Sequence, residues 1–231
     1  MSGPFTGTQA VVTGASSGIG QSIAIALAQA GAEQVLVHYR QNRSGADQTV
    51  SAIRDVGGQA GVISADLAAT SDVDRLVAAA FDRLGTINTW VNNAGADVLT
   101  GAASELEFDE RFQCLLNVDV RGTLALSRHV EARMGEQSTE RPASMVFIGW
   151  DQASGGMDGD AGQLFGPVKA AVTAFAASLA QSVAPQIRVN CIAPGWIRTS
   201  WGEATTGYWD QRARGQSLMQ RWGCLLYTSP S

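Results

Sequence analysis

The chain has 231 residues, 45% of them hydrophobic and 16% charged, proportions that suit a single globular domain with a sizeable core and exclude a disordered or fibrous chain. A net charge of −5, with no Lys/Arg cluster to reverse it locally, argues against a nucleic-acid or anionic-membrane surface, because no basic excess is available to neutralise phosphates. Cys114, Cys191 and Cys224 form no metal-ligand spacing and no CxxC pair, and His38 and His129 are too few for a His-based metal site or a Ser–His–Asp triad. No metal is expected.

Strand and helix patterns alternate from end to end. Ala10-Val11-Val12-Thr13 reads as a short apolar strand, followed by an Ala-rich helix from Gly18 to Ala30. A second strand covers 34–39, helical periodicity covers 44–57, and a third strand covers 61–64. Val73, Leu76, Val77, Ala80, Phe81 and Leu84 fall at helical spacing over 72–84, and Thr89-Trp90-Val91 is a fourth strand. One long helix is predicted over about 105–134, a fifth strand over 145–148, a helix over 164–183 and a sixth strand over 187–192. The strands are apolar throughout, as when helices cover both faces of a sheet. The fold class is therefore α/β, a single doubly wound parallel-sheet Rossmann domain spanning 1–222.

The strongest motif is Thr13-Gly14-Ala15-Ser16-Ser17-Gly18-Ile19-Gly20, directly after the first strand and opening the first helix. Gly14 permits the tight turn, Gly18 lets backbone approach a pyrophosphate, and Gly20 allows close packing of helix on strand. Free N–H groups and the helix dipole then face the phosphates. At the end of the second strand, where an acidic residue would bond a ribose 2′-hydroxyl, the chain has Tyr39-Arg40, with Arg43 close behind. Arginine suits a 2′-phosphate by charge and fork geometry, which favours NADP(H) over NAD(H). A solvated surface arginine is the alternative at Arg40.

With the GxxxGxG spacing stand three further runs. They are Asn92-Asn93-Ala94-Gly95 after the fourth strand, the helix bearing Lys169, and Pro194-Gly195-Trp196-Ile197-Arg198-Thr199 after the sixth strand. In this order and on these elements, over nearly all of residues 5–222, the chain resembles the short-chain dehydrogenase/reductases, most nearly their 3-oxoacyl-carrier-protein reductase branch. The resemblance implies that Gly14, Ser16, Gly18, Ile19 and Gly20 hold pyrophosphate and ribose. It implies that Asp66 accepts from the adenine amino group and that Asn93, Ala94 and Gly95 line the adenosine ribose. Pro194, Gly195, Ile197 and Thr199 would border the nicotinamide.

The family's reductases work with a serine, a tyrosine, a lysine and an asparagine, the lysine also holding the cofactor ribose. Here only Lys169 remains. Phe165 stands at the tyrosine position, Trp150 at the serine position and Asp119 at the asparagine position, and the connection from Trp150 to Phe165 is about two residues longer than is usual for the family. A phenyl ring passes no proton. General acid–base catalysis contributes about 10²–10⁴-fold and an oxyanion donor about 10²–10³-fold, so an ordinary reductase stripped of both would be crippled. Asp151, at the carboxyl end of the fifth strand, is a candidate substitute: a carboxyl beside Trp150 in a dry pocket can have a raised pKa and act as an acid. A turn or cap role is its alternative, and is the favoured one for Asp160. The catalytic candidates are therefore Lys169, Asp151 and Asp119. Trp196, Trp201 and Trp209 suggest an aromatic pocket mouth, with core or interface packing as the alternative.

Residues 223–231 read as a non-native tail, since Cys-Leu-Leu-Tyr-Thr-Ser-Pro-Ser fits no element due next. In the family a further helix and a last edge strand follow, so the chain is expected to be C-terminally truncated, with its sixth strand exposed and its assembly weakened. The full-length form is expected to be a homo-oligomer. No basic-then-apolar start and no apolar stretch of membrane length are present, and the location expected is cytoplasmic, with no membrane partner. Two functions stay open: an NADP(H)-dependent oxidoreductase on a small carbonyl or alcohol through a rearranged acid–base set, or a non-catalytic nucleotide-binding homologue serving as a partner subunit. A lyase or epimerase on this fold is a third.

Overall fold

A computed structural model describes residues 3–139, 142–199, 202–203, 205 and 207–225. Six strands form one parallel sheet in the order β3-β2-β1-β4-β5-β6, where β1 is Gln9–Val12, β2 Gln34–Tyr39, β3 Gln59–Ser64, β4 Thr89–Asn92, β5 Ala143–Ile148 and β6 Ile187–Ile192. The order reverses between β1 and β4. Such sheets bind ligands at the carboxyl ends of the strands where the order reverses. The parallel register pairs Val12 with Val37 on one side and with Val91 on the other.

Helices cover both faces, as the apolar strands require. Helices α1 (Gly18–Gln29) and α2 (Arg43–Asp55) close one face over a core that includes Val12, Val35, Val37, Ile53 and Val91. Helix α3 (Thr70–Leu84) covers the other face, with Val73, Leu76, Val77, Ala80, Phe81 and Leu84 buried as the periodicity predicts. Trp90, Met145 and Phe147 of the sheet meet it there.

The predicted single helix over 105–134 divides. A 3₁₀ turn covers Gly101–Glu105, and α4 (Phe108–Leu115) starts only after the Glu107 backbone N–H has been capped by the Glu110 carboxylate. A π-helical stretch, Leu116–Gly122, then joins α4 to α5 (Thr123–Gly135). It carries Asp119 inward, to 1% exposure. Such stretches cluster at functional sites.

Helix α6 (Gly159–Val183) begins five residues before the predicted start, just after Asp158, and contains Pro167 at an exposed position. The segment after β6 holds a helix that periodicity did not predict, α7 (Gly207–Gln216). Among the described residues β6 pairs only with β5, leaving it at the sheet edge. Gly223 pairs in parallel with Ile197, its N–H donating to the Trp196 carbonyl at 2.7 Å. Residues 226–231 of the expected tail lie outside the described residues.

Candidate active site

The turn after β1 is fixed from three sides. Gly14 takes φ 62°, a left-handed conformation that favours glycine, and a Cβ there would stand 2.8 Å from the Ala94 Cα. The Thr13 hydroxyl accepts the N–H groups of Asn93 (2.9 Å) and Ala94 (3.0 Å) and donates to the Val91 carbonyl (3.1 Å). The Asn93 amide donates to the carbonyls of Thr13 and Gly14 at 2.9 and 3.1 Å. A Cβ on Gly20 would collide with that amide and with the Gly14 carbonyl, which is why the helix can sit so close to the turn.

Sequence reading missed the third support. His38, buried at the end of β2, accepts the Gly14 N–H at Nδ1 (3.1 Å). Its Nε2–H donates to the Ala65 carbonyl (3.1 Å). Burial lowers its pKa to about 4, although the Ala65 bond and the charges of Asp66 and Asp72 push the other way. The ring is neutral, and its one acceptor is committed to the glycine turn.

At the start of α1 the N-cap Ser17 makes no side-chain capping bond. The first N–H groups of the helix therefore have no side-chain cap and are open to an anion. The residues fit a pyrophosphate. Beside them lies a cavity of about 500 Å³, lined by Gly18, Ile19, Asn93, Gly95, Lys169, Pro194, Gly195, Ile197 and Thr199 of the expected dinucleotide set. Ser16 lines a second cavity of about 380 Å³ beyond Gly18, and this also meets the amino-terminal residues of α2. Gly14, Gly20 and Ala94 lie under the turn and shape it. Asp66 follows β3, where its carboxylate accepts the Ala68 N–H at 3.0 Å. Arg40 is exposed and makes no ion pair among the described residues, whereas Arg43 is bonded to Asp47 and Tyr39.

On the floor of the larger cavity Lys169 Nζ stands 3.0 Å from Asp119 Oδ2. The contact is an ion pair rather than an aligned hydrogen bond. The other Asp119 oxygen accepts the Ala96 N–H at 2.8 Å. A Cβ on Gly95 would lie 2.8 Å from Asp119 Oδ2, so the bare glycine makes room for the carboxylate. Phe165, one turn before Lys169 on α6, and Trp150 line the same cavity. The wall that would carry hydroxyls in the resembled reductases is aromatic carbon here.

Asp151 is not among the lining residues. It opens a 3₁₀ turn, its backbone N–H donates to the Pro194 carbonyl (3.2 Å), and its Oδ2 would stand 2.8 Å from a Cβ on Gly195. Burial raises its pKa above the ordinary carboxylate value. Asp160 pairs with Arg111 at 3.1 Å.

The roof comes from the segment after β6. Trp196 packs on Trp209 (ring centroids 6.0 Å apart) and edge-on to Trp222 (5.7 Å), and all three line the cavity. Trp201 lies outside the described residues. Gln216 of α7 accepts both the Trp196 indole N–H and the Gln152 amide at 3.1 Å, and Arg212 of α7 holds Asp158. Trp222 was not expected at the site, and nothing local in the sequence marks it. Among the described residues no group of three or more His, Cys, Asp or Glu side chains could hold a metal.

A doubly wound parallel sheet, an anion-ready glycine turn at the reversal of strand order and a lysine in the adjoining cavity define a nicotinamide-dinucleotide oxidoreductase of the Rossmann type. The family model described as Enoyl-(Acyl carrier protein) reductase matches residues 14–225. An uncharacterized oxidoreductase of Methylorubrum extorquens is 35% identical over 202 residues, 87% of this chain and 77% of its own length. The crystal structure of a short-chain dehydrogenase from Burkholderia cenocepacia in complex with NADP superposes with a TM-score of 0.82 at 30% identity, covering 96% of this chain and 86% of that one. A 3-oxoacyl-[acyl-carrier protein] reductase from Brucella melitensis in complex with NAD superposes with a TM-score of 0.81 at 30% identity, covering 94% and 85%. The chain belongs to the short-chain dehydrogenase/reductase superfamily, and is an NAD(P)-dependent oxidoreductase. No described helix is long and apolar enough to cross a membrane.

Proposed function

We propose that this chain is an NADP(H)-dependent oxidoreductase of a small carbonyl or alcohol substrate in which the Lys169–Asp119 pair replaces the usual hydroxyl-based acid. The observation that carries this is the 3.0 Å ion pair in the cavity that Phe165 and Trp150 also line. The bound dinucleotide supplies the hydride chemistry. Gly18 and Ile19 would hold its pyrophosphate, and Pro194, Gly195, Ile197 and Thr199 its nicotinamide end. Lys169 carries a proton at Nζ and delivers it to the substrate oxygen in the reducing direction. Asp119 balances the charge of Lys169 and fixes its position. Phe165 and Trp150 exclude water, which strengthens the pair's field on the substrate oxygen.

Arg40 supports the NADP(H) preference, because it is exposed at the end of β2 and uncommitted to any ion pair described, while Arg43 is held by Asp47. The resemblance alone supports a cytoplasmic homo-oligomer, which light scattering of the purified protein tests for assembly.

The test is carbonyl-dependent oxidation of NADPH, followed by absorbance across a panel of ketones and aldehydes. Lys169→Gln is expected to lower kcat by about 10²-fold or more, in the range of a lost acid. Asp151→Asn is expected to leave kcat nearly unchanged. The opposite ranking would move the acid to Asp151. The apolar wall of Phe165 and Trp150 favours a second reading, a nucleotide-binding partner subunit without turnover. NADPH binding with no oxidation across the panel, and turnover gained in Phe165→Tyr with Trp150→Ser, would support it.

A further inference from the structure

We infer that the substrate half of the larger cavity takes a neutral, flat ring system, an aromatic or polycyclic ketone or alcohol, rather than an acid or a flexible acyl chain. The inference rests on the oxidoreductase reading and goes beyond it, since no residue in the dinucleotide set decides it.

Charge decides the first part. The charged side chains lining the cavity are Asp97, Asp119 and Lys169, two carboxylates against one ammonium. Lys169 is already paired with Asp119. The Asp97 carboxylate accepts the N–H groups of Leu99 and Thr100 and the Thr100 hydroxyl, so it is satisfied locally. In the roof, Arg212 is spent on Asp158. An acidic substrate would meet a lining of net charge −1 (one ammonium less two carboxylates) with no cation uncommitted, and would lose its hydration without an ionic partner.

Ring surface decides the second part. Trp196, Trp209 and Trp222 line the cavity, and so do Phe165 and Trp150. The Trp196 N–H is engaged by Gln216 (3.1 Å) and the Trp222 N–H by Asp210 (2.8 Å). These two indoles therefore have no donor left for a ligand and offer it ring carbon. Aromatic faces and edges gain most from a rigid flat partner, which packs on them without freezing rotatable bonds. A chain with several rotors pays that cost at every bond. The cavity, about 500 Å³, also takes the nicotinamide end of the dinucleotide, so only part of it is open to the substrate.

Calorimetric titrations on the full chain test this with three probes: β-tetralone, naphthoate, and the acetoacetyl thioester of N-acetylcysteamine. NADP⁺ is titrated first, and its failure to bind would count against the oxidoreductase reading alone. Each probe is then titrated with and without NADP⁺. β-Tetralone is expected to bind about tenfold more tightly than naphthoate or the thioester, a difference of about 1.4 kcal/mol. Trp209→Leu is expected to weaken β-tetralone about tenfold while NADP⁺ affinity holds, and Trp209→Phe is expected to retain most of the binding, which separates lost ring surface from misfolding. Equal or tighter binding of naphthoate or the thioester would overturn the inference. So would β-tetralone affinity unchanged in Trp209→Leu with the fold intact.

Discussion

The two halves of this site are built in opposite ways. On the glycine-turn side, function rests on backbone. Thr13, Asn93 and His38 are turned inward to bond main-chain groups and hold Gly14 in place. On the cavity side, the site is built from side chains that meet across long separations: a half-buried lysine paired with a buried carboxylate, and aromatic rings packed on one another. The backbone half tolerates little change in residue type, because Gly14 takes a left-handed φ and a Cβ on Gly14 or Gly20 would strike Ala94 or the Asn93 amide. The side-chain half can be rewritten without moving the chain. Phe165 and Trp150 occupy the positions of tyrosine and serine, respectively, in the resembled enzymes, and the sheet beneath them keeps its parallel register.

The largest expected effect comes from breaking the charge pair. In Lys169→Met, the Asp119 carboxyl is left at 1% exposure with the Ala96 N–H bonded to one oxygen and no cation beside it. Removing one partner of a buried pair costs about 3–5 kcal/mol, because the remaining charge is uncompensated. Urea denaturation should show a loss of that size. The double variant Lys169→Met with Asp119→Leu should recover much of it, since no charge is then stranded. A single variant as stable as the parent would show that the catalytic floor bears no structural burden, and the contrast between the halves would widen.

The backbone half should reveal itself through pH. His38 titrates at about 4 in the fold against an ordinary 6.5, so the folded chain binds fewer protons than the unfolded one between those values. Stability from this group is complete above pH 6.5 and falls as pH drops toward 4. The full loss is about 3 kcal/mol, from the size of the shift. Protonation at Nδ1 would set a donor against the Gly14 N–H, so the glycine turn should loosen with it. Denaturation midpoints between pH 7 and pH 4 should show a steep acid limb that flattens in His38→Asn. A limb of the same slope in both proteins would mean that other groups cause it.

The same contrast explains what could be read from the sequence. The strand edges, the helix over 72–84 and the glycine turn are local: periodicity or a short spacing encodes them. The π-helical stretch was hidden because a single added residue per turn leaves helical periodicity nearly intact, so one long helix was expected where α4, the π turn and α5 are found. Lys169 and Asp119 could each be placed by resemblance, yet their pairing depends on that turn and on the room at Gly95. His38 looked like an ordinary strand residue, because its partners Gly14 and Ala65 lie on neighbouring segments. Trp222 joins the cavity only because Gly223 bonds back to the 196–198 segment.

The smallest expected effect separates two readings of one exposed residue. Arg40 follows β2 directly, exposed and in no ion pair among the described residues. If it recognises a 2′-phosphate, Arg40→Ala should weaken NADPH by about fivefold, the upper range for an exposed ion pair, and leave NADH unchanged. The difference should shrink at high salt, because exposed pairs are screened. Fluorescence titration of both dinucleotides at two ionic strengths measures it. Equal small changes for NADPH and NADH would make Arg40 a solvated surface residue. The backbone half would then hold the parts common to both cofactors without choosing between them.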